Sequence, residues 1–221
     1  MNVNNKQEPV IEQRSSSIQS PDSSGQSVIK LAFEQHGDRW THRWSAATET
    51  HEFPFLKSHE GLPDQIWPPS PPLQDVSQHA LEHGDAVLCV GMAGTSHWSA
   101  SYSIEKSGNR IWVKSDLACL QKGLASSSGD SSSNDDRVSL LSTYEIDSAC
   151  KIDSSTSDRI ELVSSMPNLN TQQRVVLKAF SGEGIETAFE LTDRTLCIKP
   201  REISKSPVVP TRWGFHLEIA T

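Results

Sequence analysis

DAVLCVGMAGTSHWSASYSIEKSGNRIWVKSDLACL, residues 85–120, reads as three β-strands joined by two turns. Ala86–Val90 is a short apolar run between turn residues, which suits a buried strand better than a helix. Gly91 and Gly94 follow it and allow a bulge or a tight bend. Ser96–Glu105 then alternates: Trp98, Ala100, Tyr102 and Ile104 fall on one face, His97, Ser99, Ser101 and Ser103 on the other. That is the two-residue period of a half-buried strand. Ser107-Gly108-Asn109 supplies residues that accept the positive φ of a hairpin turn. Arg110–Leu120 returns with Ile111, Val113, Leu117 and Cys119 on one parity and Ser115 as the polar exception.

Upstream, Val28–Phe33, the turn His36-Gly37-Asp38 and Arg39–Ala47 form a second hairpin pattern, with Trp40, His42 and Trp44 on one face. Glu49–Pro72 reads as a long connection, because Pro54, Pro63, Pro68, Pro69, Pro71 and Pro72 break a regular ladder. A connection this long is expected to be anchored by Trp67 and Phe55 or to be functional, and Trp67–Pro72 should be extended polyproline. Leu73–His83 admits two readings. A helix would align Asp75, His79 and His83 before a C-terminal Gly84; a strand would alternate Val76, Gln78 and Ala80 with Asp75, Ser77 and His79. The β pattern on both sides favours the strand.

Downstream, Ala125–Asp136 is a Ser-rich, low-complexity stretch and predicts a disordered loop inserted at a hairpin tip. Short strand patterns follow at Val138–Ile152, Arg159–Ser164, Arg174–Phe180, Glu186–Leu191, Thr195–Lys199 and Arg212–Ala220. Residues 1–26 are polar, lack apolar periodicity and predict a disordered tail. Ten or more strands without a convincing helix predict an all-β fold, an antiparallel β-sandwich or alternatively a β-barrel, in one domain over residues 27–221.

The 221 residues carry 28 acidic and 20 basic side chains, a net charge of −8, which argues against general nucleic-acid binding. No apolar run approaches the length of a membrane span, and the first residues lack the apolar core of a secretory signal. Cys89, Cys119, Cys150 and Cys197 are widely spaced, without a C-x-x-C pair, and read as free buried thiols of a cytoplasmic protein.

Four features could carry chemistry. The tryptophans Trp40, Trp44, Trp98, Trp112 and Trp213 could stack on a ligand, although aromatics on a one-sided strand usually build a core. Trp112, opposite in parity to its apolar neighbours, is the one expected outside. Among eight histidines, His42, His97 and His216 lie mid-strand and could converge, but none shows the spacing of a metal site. Ser96 and His97 are adjacent in one strand and therefore point to opposite faces, so they cannot form a nucleophile–base pair. Trp67–Leu73 could dock into a partner's aromatic groove, but the tryptophan leading into it favours a rigid crossover lying on the domain's own surface.

No catalytic, cofactor or metal residues are therefore assigned. The leading expectation is a non-catalytic module that binds a protein partner or itself. The alternative is a small-molecule or carbohydrate-binding domain using exposed Trp112, Trp44 or Tyr102 with His97. A hydrolase would need carboxylates such as Asp116 and Glu105 facing one cleft. A pocket lined by the aromatics and histidines would favour the ligand reading; a flat apolar patch would favour association.

Overall fold

A computed structural model describes residues 15–19, 28–62, 65, 68–82, 84–107, 110–121, 140–165, 172–182, 184–204, 206 and 208–220. They form β1 (Ser15–Gln19), β2 (Val28–His36), β3 (Arg39–Ala47), β4 (Glu52–Ser58), β5 (Asp75–Leu81), β6 (Gly84–Ala93), β7 (Ser96–Ser107) and β8 (Arg110–Leu120). Then come β9 (Ser142–Ile146), β10 (Cys150–Ser155), β11 (Arg159–Ser165), β12 (Gln172–Ala179), β13 (Ser181–Gly182), β14 (Ile185–Thr192), β15 (Thr195–Pro200) and β16 (Thr211–Ala220). Two antiparallel sheets pack face to face without closing into a barrel. The first runs β1-β2-β3-β4-β9-β15-β14-β13, the second β10-β11-β12-β16-β8-β7-β6-β5. The fold is the expected all-β sandwich.

The two hairpins read from the sequence are the pillars of the two sheets. β2 and β3 are joined by Gly37 and Asp38, with Gly37 at φ 67°, a conformation glycine reaches without cost. β7 and β8 pair along their whole length from His97↔Leu120 to Ser107↔Arg110; the expected turn residues Gly108 and Asn109 lie outside the described residues. Leu73–His83 is resolved in favour of the strand: Asp75–Leu81 pairs with β6. Within the segment expected to be a disordered tail, Ser15–Gln19 pairs with β2, and the rest of it lies outside the described residues. So do the Ser-rich insertion and Trp67.

Three expectations need correction. The connection Glu49–Pro72 contains a strand, β4, despite Pro54. Its register against β3 shifts between Trp44↔Leu56 and Ser45↔Pro54, so the proline sits at a bulge, where its missing N–H breaks no ladder bond. Val138–Ile152 is not one strand. It bends at Asp147–Ala149, where Asp147 Oδ1 accepts the Ala149 N–H at 2.9 Å, and β9 and β10 go to different sheets. Arg194 braces that corner by donating from its guanidinium to the carbonyls of Ile146, Asp147 and Cys150. Finally, the proline segment does not lie on the surface. Pro68, Ser70, Pro71, Pro72 and Leu73 are buried, and Ser70 Oγ bonds Thr143 twice, accepting from its N–H at 3.0 Å and donating to its carbonyl at 3.1 Å. The strap continues to Leu73, whose carbonyl accepts the Trp40 N–H at 2.7 Å. It presses so closely on β6 that a Cβ on Gly91 would fall 1.5 Å from the Pro72 carbonyl oxygen.

The core fills the space between the sheets. Trp44, Trp98, Trp213, Tyr102, Tyr144, Phe33, Phe55 and Phe215 are its largest fully buried side chains. Rings from opposite sheets meet edge to face, Trp44 against Phe215 at 6.1 Å and Phe33 against Tyr102 at 5.7 Å. Trp213 Nε1 donates across the sandwich to Ser142 Oγ at 3.0 Å.

Candidate interaction face

The residues named for ligand binding are dispersed. Trp44 and Tyr102, named as exposed aromatics, are both fully buried and touch each other at 5.7 Å, because their strand parity points them between the sheets. Trp112 and His97 lie on the outer face of the second sheet. They stand at opposite ends of the β7–β8 hairpin: Trp112 pairs with Glu105, eight residues from His97, a span of roughly 26 Å. Trp112 is half-buried, donates its indole N–H to Glu105 at 3.1 Å and stacks obliquely beside His216. A shallow concavity of about 350 Å³ opens on the outer face of the first sheet between β2, β3 and β4, walled by Arg43 and Lys57; none of the four named residues lines it.

The histidines do not converge either. His42 faces the core, whereas His97 and His216 face outward from the second sheet. Among the described residues no three His, Cys, Asp or Glu side chains are grouped as a metal site. Asp116 is paired with Arg212, and Glu105 holds Trp112, so the two carboxylates face no common cleft.

The polar groups inside the sandwich form a sealed knot. His42 Nε2 lies 3.0 Å from the Tyr144 hydroxyl and 3.5 Å from that of Tyr102, and all three side chains are at most 3 % exposed. Burial pushes the His42 pKa down to about 3, so the ring is neutral, and burial pushes both tyrosines up. Two residues past β4, both carboxyl oxygens of Glu60 are shielded from solvent. Burial raises its pKa to about 7 against the opposing pull of the Ser58 hydroxyl and the Arg39 charge. The Cys89 thiol is likewise raised by burial, and Cys119 is raised to about 12, which leaves both unreactive near neutral pH. The knot is shielded from solvent and joined by hydrogen bonds, as a buried polar network is.

The outer face of the second sheet divides in two. From β10 to β8 it is laced with ion pairs: Asp153 and Glu161 with Arg174, Glu161 with Arg159, Glu218 with Lys178, and Asp116 with Arg212. Across β7 the pairs give way to Ser99, Ser101 and Ser103. On β6 the outward side chains are Leu88, Val90 and Met92, exposed by 45 %, 51 % and 47 %, with His97 paired beside Met92. Leu81 of β5 adds 56 % exposure near the hairpin end. Among the described residues, four of the eight exposed large apolar side chains therefore lie on the β5–β6 hairpin. β5 itself is exposed at every residue except the half-buried Val76.

This face was hidden in the sequence. Ala86–Val90 reads as a buried strand, yet only Ala86, Val87 and Cys89 are buried while Leu88 and Val90 point outward. An apolar run gives no parity signal, so a two-sided core strand and a strand with one bare apolar face look alike. The alternation of the serines on β7, the partner strand, was the available hint that the matching face of β6 is open to water. The chain matches no protein-family model, and no curated protein or solved structure is detectably similar to it.

Proposed function

We propose that the chain is a non-catalytic, cytoplasmic interaction module that binds a protein surface through the outer face of β5, β6 and β7. The observation that supports this reading most is the row Leu88, Val90 and Met92, about half exposed at consecutive outward positions, on a sheet face that elsewhere carries paired charges. A contiguous apolar patch rimmed by polar groups costs solubility and is retained where it is covered in use. The rim is provided by Ser99 and Ser101 on one side and Asp75 and Ser77 on the other. All four cysteines are free, which suits a reducing compartment.

The test is a triple variant, Leu88→Ser with Val90→Ser and Met92→Ser, beside a Trp112→Ala control that leaves the patch untouched. Association is measured with purified components, both of the chain with itself and with any protein cross-linked to it in cells. The triple variant, folded by circular dichroism, should weaken binding about tenfold or more, and the control should not. Equal binding by wild type and triple variant, or equal loss in the control, would overturn the reading.

A further inference from the structure

We infer that the partner is a second copy of this chain, whose β5 pairs antiparallel with β5 of the first about a two-fold axis at Ser77. The inference rests on the proposed interaction face and names its occupant. β5 ends the second sheet, and among the described residues no strand hydrogen-bonds to its far side. Its sequence, Asp75-Val-Ser-Gln-His-Ala-Leu81, contains few of the devices that blunt an edge: one charged residue, Asp75, but no proline, no lysine and no register shift against β6. It is also exposed on both faces and held to the sheet by one ladder, to β6.

The choice of a second copy over another partner comes from charge. Antiparallel pairing around a perpendicular two-fold keeps outward residues on one face, so the axis must lie midway between the two copies of one residue and pair position i with a position of equal parity. Centred on Ser77, it sets Ser77 against its own copy and Asp75 against His79 of the other chain, twice by symmetry. Centred on Gln78 instead, it sets Asp75 against Leu81; centred on Val76, it sets Asp75 against Ser77. Only the Ser77 register gives both polar groups a complementary partner. The Asp75 carboxylate then faces an imidazole that can donate an N–H to it, and the two carboxylates of the pair stand apart, since like charges directly across a strand pair are destabilising. The joined sheet would then run β6-β5-β5-β6 and carry Leu88 and Val90 of both chains on one continuous face, since Leu88 pairs with Ser77 and Val90 with Asp75.

The register is tested by cross-linking the full chain. Directly opposite residues in an antiparallel pair lie about 4.5–5.5 Å apart at Cα, within disulfide reach. Ser77→Cys should therefore give a disulfide-linked dimer under mild oxidation. Gln78→Cys should not, because its two copies would sit on a diagonal about 7–8 Å apart. In the Ser77→Cys background, His79→Asp should slow cross-linking about tenfold or more by facing Asp75 of the other chain, and adding Asp75→His should restore it. Equal cross-linking from Gln78→Cys, or indifference to His79→Asp, would overturn the register. A chain that sediments as a monomer at every concentration reached and fails to cross-link through Ser77→Cys would overturn the dimer. Neither result touches the proposed module, which fails if the Leu88, Val90 and Met92 variant binds as wild type does or if the Trp112→Ala control loses as much binding.

Discussion

Two buried side chains impose opposite pH dependences on stability. His42 titrates at about 3 in the fold against 6.5 in a free chain, so between these values the unfolded chain takes up a proton that the fold refuses, and stability falls as pH falls. Glu60 titrates at about 7 against 4.5, so between those values the fold keeps a proton that the unfolded chain releases, and stability falls as pH rises. Each slope is about 1.4 kcal/mol per pH unit, and from 4.5 to 6.5 they oppose. The expected profile is a plateau there, a decline below it and a further decline up to about pH 7. Glu52, held low by the Lys30 ammonium, adds to the acid loss. Glu60→Gln should leave stability near pH 4 almost unchanged and raise it at pH 8 by up to about 3 kcal/mol. Urea midpoints at the two pH values check this, and an equal shift at both would show that Glu60 is not the group titrating.

At the scale of elements, the buried strap is a polar segment running through an apolar interior, and Ser70 is what makes that tolerable. Its hydroxyl satisfies the Thr143 N–H, which otherwise has no route to water; the Thr143 carbonyl keeps a second donor in the His59 N–H. Ser70→Ala should cost roughly 1–3 kcal/mol, the penalty of one orphaned buried donor, read as a lower unfolding midpoint. A loss under a few tenths of a kcal/mol would mean that the strap is replaceable there. The strap and the strands differ in how openly the sequence announces them. Trp98 to Ile104 and Trp213 to Ile219 alternate against polar neighbours, and both strands were legible at once. β4 was not, because the bulge that excuses Pro54 depends on how β3 lies beside it. The corner at Asp147 was not, because its meaning comes from Arg194, 47 residues away. The interaction face was least legible: Leu88 and Val90 carry no mark that separates an uncovered apolar side chain from a covered one.

The molecule as a whole has one contiguous core to which both sheets contribute. Trp44 of the first sheet meets Phe215 of the second, and Tyr144 meets the same ring at 6.0 Å, so neither sheet keeps its packing if the other leaves. Unfolding should accordingly be a single transition. Tryptophan fluorescence and far-ultraviolet circular dichroism followed through one denaturant titration should superimpose, and two separated midpoints would show that the sheets melt independently. Most ladders join neighbours in sequence, but β16 is different, for it lies between β8 and β12 in the middle of the second sheet. During synthesis on the ribosome, the strands β5 to β8 and β10 to β12 are made before the one that joins them. Until residues 211–220 leave the exit tunnel, β8 and β12 have no strand between them, and Trp98 lacks Trp213, its neighbour at 6.1 Å. The last strand is thus the keystone of the arch, and a message cut short before it would yield not a smaller version of this protein but one that has never closed.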